Sequence, residues 1–157
     1  MREEGVRRDC PRVDIDMKYF GIKELVCPHV YELHGENAWQ FLDDRMLANL
    51  EFIRDGIGKP IVVNNWARGG EYSQRGLRCT RCVLVIEKVD LRKVYLSAHI
   101  QGKAVDFHVA GMTAEEVRQW IIDHADELPH PCRLERGVSW CHLDTRVCSY
   151  EKVELFG

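Results

Sequence analysis

The 157-residue sequence contains no hydrophobic run that approaches the length of a membrane-spanning helix. Residues 1–8 lack the apolar centre of a secretory signal peptide, so we expect synthesis in the cytoplasm without a signal peptide. A formal net charge of -3 provides no basic surface of the kind that binds nucleic acid. These absences predict a globular protein with no membrane span and no nucleic-acid partner.

Length and composition favour one folded domain. Hydrophobic residues make up 45% and charged residues 30% of the chain, which is an ordinary globular balance. Residues 1–18 are polar and charged and are expected to form a flexible N-terminal arm, which leaves 19–157 as the domain. Seven cysteines, an odd number in a chain without a signal peptide, indicate reduced thiols rather than a disulfide framework.

Two principal helices are predicted from hydrophobic spacing and capping. Apolar side chains recur at three- and four-residue steps before Gly56, which predicts a helix from residue 43 or 44 to 56. Thr113 is followed three residues later by Glu116, and this capping box should open a second helix that ends near Pro129.

Several extended segments complete the predicted fold. A short strand and turn are expected in 19–30, and a polar loop in 65–78. Further strands are predicted at 60–64, 82–86, 94–96, 104–109, 132–135 and 138–144. The sequence therefore predicts an α+β fold in which a small antiparallel sheet is backed by two principal helices.

His99 and Asp106 lie seven residues apart with Gly102 between them. An extended chain would separate the two side chains by up to roughly 25 Å. A shared metal ion therefore requires the chain to fold back, and Gly102 supplies the permissive backbone. We expect the histidine and the carboxylate to meet at the mouth of a strand.

A second histidine and carboxylate occur near the C-terminus. Trp140, His142 and Asp144 point to one side of an extended segment. Together with His99 and Asp106, His142 would complete a set of two imidazoles and one carboxylate. Three such ligands leave the fourth position of a zinc ion open for water.

These residues match a known pattern: Ser97-x-His99-x-x-Gly102-x-Ala104-x-Asp106, followed by Trp140-x-His142-x-Asp144. The pattern resembles the zinc peptidases of peptidoglycan, namely D-Ala-D-Ala carboxypeptidases and L-alanyl-D-glutamate endopeptidases, including phage endolysins. The resemblance covers roughly residues 20–146.

The resemblance implies a hedgehog/D-Ala-D-Ala-peptidase-like fold. It also implies that one Zn²⁺ is held by His99, Asp106 and His142, and that metal-activated water cleaves a peptide bond involving a D-amino acid. The substrate would be a peptidoglycan stem peptide. Ser97, His108, Trp140 and Asp144 would then support the metal ligands or contact the substrate.

The proton-transfer position departs from the pattern of the family. Many members of the family carry a glutamate three residues before the last histidine, and Ser139 occupies that position here. Glu135 is the nearest acid upstream, and a tight turn at 136–137 would bring its carboxylate back towards the metal. We therefore predict Glu135 as general acid/base. Asp144 is the second candidate, although a role in orienting an imidazole suits it better.

A peptidase also needs a cation that holds a substrate carboxylate or stabilises the oxyanion. In position, Arg68 corresponds to the arginine of the family. Arg75 and Arg78 compete with it in the same loop. Arg75 is favoured, because the neighbouring Gly76 lets the backbone approach a ligand closely, and Arg68 is placed second.

Cys79 and Cys82 form a CxxC pair that is compatible with a zinc knuckle or with redox chemistry. A complete four-thiolate site would have to recruit Cys132, Cys141 or Cys148 from far along the chain. We therefore expect a single zinc ion.

Two functions are consistent with these patterns. The first is a zinc peptidase that acts on bacterial cell-wall peptide and reaches the wall by lysis or in a virion. The alternative is an inactive zinc-binding structural or wall-binding protein of the same fold, for example a virion or tail-associated component, and Ser139 keeps this alternative open.

Overall fold

The computed structural model describes residues 17–146 and 151–157. A five-stranded sheet organises these residues, with the strand order β1-β2-β4-β3-β5. The strands are β1 (Ile61–Val62), β2 (Ala104–Val109), β3 (Cys132–Glu135), β4 (Cys141–Asp144) and β5 (Val153–Phe156). The predicted α+β class is confirmed.

The sheet is mixed, so the expectation of an antiparallel sheet was wrong in one respect. β1 with β2, β2 with β4, and β4 with β3 pair antiparallel, whereas β3 pairs with β5 in parallel. β4 ends at the side of the sheet where β3 begins. β5 lies beyond β3 and starts from that same side, so it must run in the direction of β3.

Five α-helices accompany the sheet in the described part of the chain. They are α1 (Ile22–Leu25), α2 (Pro28–His34), α3 (Asp44–Ile57), α4 (Val83–Asp90) and α5 (Ala114–Asp123). Single 3₁₀ segments occupy Gly35–Phe41, Trp66–Arg68 and Ala125–Glu127. None of the helices in the described ranges combines the length and the apolar character needed to cross a membrane.

The two principal helices begin at side-chain caps. The Asp43 carboxylate accepts from the amides of Arg45 and Met46, and α3 starts at the next residue. The predicted capping box is present, since Thr113 Oγ1 accepts from the Glu116 amide and the Glu116 carboxylate accepts from the Thr113 amide.

The core lies between these helices and one face of the sheet. In β2 and β4 the odd-numbered residues, and in β3 the even-numbered residues, face the helices and are buried, among them Val105, Phe107, Leu134, Cys141 and Leu143. From α3 and α5, Met46, Leu47, Leu50, Ile53, Val117 and Ile121 pack against them. Each such side chain contributes about 1.5–3 kcal/mol when it leaves water. By the alternation of a strand, the residues between these buried positions project from the opposite face, which carries the candidate site.

Two predicted strands were wrong. Segment 82–86 forms the start of α4, and in this helix only Val85 is buried, against Cys27 and Cys82. A run of β-branched residues favours a strand only where a neighbouring strand can pair with it. Segment 94–96 is not a strand either, and Val94 is 89% exposed.

The N-terminal region also differs from the expectation of a strand and turn in 19–30. α1 and α2 occupy it, separated by an extended bend at Val26, which forms an isolated parallel bridge with Leu77. Pro28 opens α2, where its missing amide hydrogen costs nothing. The predicted arm lies mostly in residues 1–16, outside the described residues, but Lys18 pairs with Asp55.

Other boundaries moved by a few residues. Strand 60–64 shortens to β1, because the Asn64 side chain bonds to the Val26 carbonyl and the Arg75 amide instead of continuing the sheet. α5 ends at Asp123, well before Pro129, and a 3₁₀ turn follows. Strand 138–144 begins only at Cys141.

Candidate metal centre

A tight turn brings His99 close to β2. The Ser97 carbonyl accepts from the Ile100 amide at 3.2 Å, and the Ser97 hydroxyl oxygen accepts from the same amide at 3.4 Å. Gly102 has φ +68°, and a Cβ atom there would lie 1.8 Å from the Phe41 carbonyl oxygen. The turn therefore requires glycine for both its backbone conformation and its packing.

His99, Asp106 and His142 converge on one buried point of the sheet face. His99 Nε2 lies 3.1 Å from Asp106 Oδ2, and His142 Nδ1 lies 2.7 Å from Asp106 Oδ1. The pairing of β2 with β4 places Asp106 directly opposite His142. Ligands at about 2.0–2.1 Å from a tetrahedral zinc ion lie about 3.3 Å apart, so small adjustments would fit the ion.

The outward nitrogens of both imidazoles are already engaged. His99 Nδ1 donates to the Gly76 carbonyl at 2.9 Å, and His142 Nε2 donates to Asp144 Oδ2 at 3.0 Å. A carbonyl or carboxylate oxygen can only accept, so with a metal bound beside Asp106 these outer partners would hold the remaining proton of each imidazole. His99 Nε2 and His142 Nδ1 therefore remain as the nitrogens that face a metal.

Asp144 is held in turn by Arg133. The guanidinium donates through Nε and Nη2 to the two carboxylate oxygens at 2.9 and 2.8 Å, and Asp144 is fully buried. β3 and β4 pair these two residues directly opposite each other. The bidentate pair fixes the carboxylate that orients His142.

Charges around His142 favour its protonated form when no metal is bound. Burial opposes the charge, but hydrogen bonds to Asp106 and Asp144 outweigh burial and raise the pKa of His142 to about 9. Burial also opposes the charge of Asp106 and by itself would raise the pKa of this carboxyl. Hydrogen bonds with His142 and His99 outweigh burial and hold the pKa of Asp106 well below its usual range. Burial would raise the pKa of Asp144, but hydrogen bonds with His142 and Arg133 outweigh burial and lower this pKa to about 2. A metal at His142 Nδ1 would take the place of one proton between two ionised carboxylates.

Arg78 contacts the candidate ligands directly. Its Nη2 atom lies 3.2 Å from Asp106 Oδ2, and its other nitrogens donate to the Gln74 carbonyl and the Tyr95 hydroxyl. The Arg78 amide also donates to the His99 carbonyl at 3.2 Å. Arg78 therefore stabilises the candidate metal centre, although the sequence analysis placed it behind Arg75 and Arg68.

Arg75 lies beside the candidate metal centre and contacts two neighbouring side chains. Its Nη1 atom is 2.9 Å from His108 Nδ1, and its guanidinium stacks 3.8 Å above the Tyr72 ring. The Arg75 carbonyl accepts from the Asp106 amide at 2.7 Å. Burial and then the charge of Arg75 lower the pKa of His108, which keeps this imidazole neutral beside the guanidinium.

The remaining predicted site residues occupy more peripheral positions. Arg68 ends the 3₁₀ segment and is exposed, as is Ser139. Trp140 precedes β4 and is 36% exposed. Ser97 stabilises the turn before His99, as described above. Among the described residues, no ion pair joins Arg68 to the three candidate ligands.

Glu135 ends β3 on the site face of the sheet. Arg133 pairs with Asp144 and Leu134 with Leu143, so continuation of that register places Glu135 beside His142. Its carboxylate forms no ion pair with the three candidate ligands among the described residues. The backbone is fixed because buried Arg118 donates to the carbonyls of Glu135, Val138 and Trp140.

Phe156 forms one wall of the candidate site, and the sequence patterns did not predict this role. Its ring meets the His142 ring edge to face at 5.6 Å, and the Arg133 guanidinium lies 4.4 Å from its centroid. β5 was not predicted, since its four residues give too short a pattern. The packing roles of Arg118 and Arg133 were missed as well, because they depend on the strand register.

A second group of metal-ligating side chains occurs outside this site. The CxxC pair Cys79 and Cys82 meets Cys27 and His29. From the sequence, a complete four-thiolate site would have to recruit Cys132, Cys141 or Cys148. Cys132 and Cys141 instead lie in β3 and β4, and Cys148 lies outside the described residues. The described chain therefore has two groups that could hold a metal.

Comparisons with protein-family models, with curated proteins and with solved structures give no significant match.

Proposed function

We propose that this protein is a zinc-dependent peptidase that hydrolyses D-amino-acid-containing peptide bonds of bacterial peptidoglycan. The observation that carries the proposal is the convergence of His99 Nε2, Asp106 and His142 Nδ1 at one buried point. Three protein ligands of these types would leave the fourth position of zinc for water, which is typical of hydrolytic zinc. The substrate class rests on the resemblance of the motif that contains these residues.

Zinc bound there would polarise the scissile carbonyl and activate water at neutral pH. The protein supplies the other requirements. With a metal bound, Gly76 and Asp144 would hold the two imidazoles in the tautomers that the metal needs. The centre is thus prepared before substrate arrives.

Arg75 is the proposed binding group for a substrate carboxylate. Its guanidinium is half-buried, is oriented by Tyr72 and His108, and carries no ion pair to a described acidic residue. A planar guanidinium of this kind can pair with a carboxylate through two hydrogen bonds. This favours stem peptides with a free carboxylate close to the scissile bond.

Glu135 is the proposed general acid/base. Its position beside His142 on the site face would let the carboxylate accept a proton from the attacking water. The same group would then return the proton to the departing amine. Arg118 serves as a positioning residue, since it holds the hairpin from which Glu135 extends.

Ser139 supports the alternative of a zinc-binding protein without peptidase activity. It is exposed in the hairpin between β3 and β4, at the position where many members of the resembling family carry glutamate. A wall-binding or structural role would need the metal centre and Arg75 but no proton-transfer group.

The two functions separate by assay of the purified, zinc-loaded protein on muropeptides with intact pentapeptide stems. Under the peptidase proposal, mass spectrometry should detect released D-alanine or cleaved stems, and a chelator should stop the reaction. His99→Ala should abolish the reaction. His130→Ala is the matched control and should not, since only the backbone of His130 bonds to Asn49.

Zinc-loaded wild-type protein that binds muropeptides but leaves them intact would contradict the peptidase proposal and support the alternative. Protein that cleaves at the wild-type rate after His99→Ala would contradict the assignment of the metal centre.

A further inference from the structure

The second group of ligating side chains joins two distant parts of the chain. Cys27 and His29 flank the start of α2, while Cys79 and Cys82 precede α4. Their ligand atoms all lie within 4.8 Å of one another. We propose that these four side chains bind a second zinc ion with a structural role, independent of the proposed peptidase function.

The distances suit tetrahedral zinc. Cys79 Sγ lies 3.9 Å from Cys82 Sγ and 3.5 Å from His29 Nδ1. With Zn–S near 2.3 Å and Zn–N near 2.0–2.1 Å, tetrahedral geometry separates two sulfurs by about 3.8 Å and a sulfur from a nitrogen by about 3.6 Å. A disulfide would need the sulfurs about 2.05 Å apart, and these cysteines are free.

Backbone amides point at the sulfurs, as in a zinc knuckle. The Cys79 amide donates to Cys82 Sγ, and the Arg81 amide donates to Cys79 Sγ, both at 3.4 Å. Such hydrogen bonds stabilise thiolates, which are the form that binds zinc. The CxxC loop is therefore preorganised for a metal.

The backbone also holds the two halves of the site together. The Cys27 amide donates to the Leu77 carbonyl at 3.1 Å, and the Leu77 amide donates to the Leu25 carbonyl at 2.8 Å. These bonds form the bridge that joins the α1–α2 bend to the CxxC segment. Ligands 50 residues apart in the sequence are thus placed side by side.

Apolar packing around the four ligands is slight. Cys27, Cys82 and Val85 form a buried cluster separate from the main core, with Cys79 and Tyr95 at its edge. A cluster this small contributes little hydrophobic stabilisation. Four protein ligands around one ion leave no open position, which is the arrangement of structural rather than catalytic zinc.

The second zinc ion would stabilise the segment whose residues contact the candidate metal centre. Gly76, whose carbonyl orients His99, and Arg78, which pairs with Asp106, lie in the segment that leads into Cys79. Fixing Cys79 to Cys27 therefore holds in place two of the contacts that organise the candidate metal centre. Imidazole and thiolate ligands favour Zn²⁺ over Mg²⁺ or Ca²⁺.

The first test is metal content of the full-length protein after dialysis against zinc-free buffer. Wild-type protein should retain two zinc ions per chain, and His99→Ala and His29→Ala should each retain one. Cobalt-substituted His99→Ala protein should still show sulfur-to-cobalt charge-transfer absorption. One zinc ion in the wild type, lost completely with His99→Ala, would overturn the proposal.

A second test needs no variant of the cysteine-containing site. Cys79 is half-buried, so iodoacetamide should modify it at least tenfold faster after chelation than in the zinc-bound protein, as measured by peptide mass spectrometry. Equal rates with and without chelator, or modification only after a reductant, would overturn the proposal, the latter because it indicates a disulfide.

The structural role can be measured in His99→Ala protein, which keeps only the thiolate site. A chelator should lower its melting midpoint by about 10 °C or more. An unchanged midpoint would overturn the structural role. Muropeptide cleavage by wild-type protein reports on the first centre, so failure of the peptidase proposal remains distinguishable from failure of this one.

Discussion

His142 Nε2 lies 3.0 Å from Asp144 Oδ2, on the opposite side of the imidazole from the nitrogen that faces Asp106. This hydrogen bond fixes which nitrogen is available to a metal. Asp144 is fixed by Arg133, so a series of contacts runs from β3 through β4 to the candidate metal centre.

Asp144→Asn should weaken zinc binding at this centre by about 10- to 100-fold. The amide oxygen can still accept from His142, but the negative charge and the bidentate pair with Arg133 are lost. Competition with a chromophoric chelator measures the affinity. Asp90→Asn is a matched control, since Asp90 is exposed at the end of α4. Equal affinities for the two variants would contradict an orienting role.

Arg75→Ala should reduce kcat/KM by about 10- to 100-fold, which corresponds to about 1.5–3 kcal/mol for hydrogen bonds to a charged group. The reduction should appear mainly in KM, and zinc content should remain unchanged. Steady-state kinetics on a muropeptide with a free terminal carboxylate tests this expectation.

Arg68→Ala supplies the control of equal charge change, because Arg68 is exposed in its loop. It should leave the kinetics at the wild-type level. A larger effect of Arg68→Ala than of Arg75→Ala would reverse the assignment.

Glu135→Gln should lower kcat by about 10²–10⁴-fold while zinc stays bound, since the amide cannot transfer the proton. Turnover and zinc content measured on the same preparation separate the two effects. Glu127→Gln is a suitable comparison and should keep wild-type turnover, because Glu127 is exposed in the 3₁₀ segment that follows α5. Wild-type turnover by Glu135→Gln would exclude Glu135 as the general acid/base.

Local sequence patterns predicted the elements whose signals are contained within a few residues. The cap of α5 at Thr113, the periodic face of α3 and the alternation of β2 all belong to this class. The convergence of His99, Asp106 and His142 was expected from the resemblance of the motif. Such a motif reflects contacts between distant parts of a chain, whereas hydrophobic periodicity reflects only local structure.

Contacts that depend on tertiary packing were not predicted from the sequence. The role of Arg133 depends on its register opposite Asp144, and that of Arg78 depends on the position of the turn before β2. The partners of Cys79 were missed because Cys27 and His29 lie 50 residues upstream and reach it only through the Val26–Leu77 bridge. No local signal encodes such a meeting.

The cap of α3 should show a pH-dependent contribution to stability. Burial raises the pKa of Asp43, but hydrogen bonds from Arg45 and the Met46 amide outweigh it and hold the pKa below the ordinary value of 3.8. A lowered folded-state pKa stabilises the protein above pH 3.8, and this contribution disappears as the pH falls through the folded-state value.

Asp43→Asn keeps a neutral acceptor at the cap and should lower the free energy of unfolding by about 0.3–1 kcal/mol at pH 7. The difference from wild type should vanish in acid, as followed by urea unfolding at several pH values. If the difference in the free energy of unfolding stays constant down to low pH, the charge of Asp43 does not contribute to stability.

Gly102→Ala tests the turn that joins His99 to Asp106. A left-handed backbone costs a non-glycine residue about 1–2 kcal/mol, and the added Cβ would also collide with the Phe41 carbonyl, which adds about 1–3 kcal/mol. Gly111→Ala is the matched control, since Gly111 has φ +72° but open space around it. Urea unfolding should show the larger loss for Gly102→Ala, and zinc binding should weaken in that variant alone. Equal losses for the two variants would mean that the close approach to Phe41 does not constrain the turn.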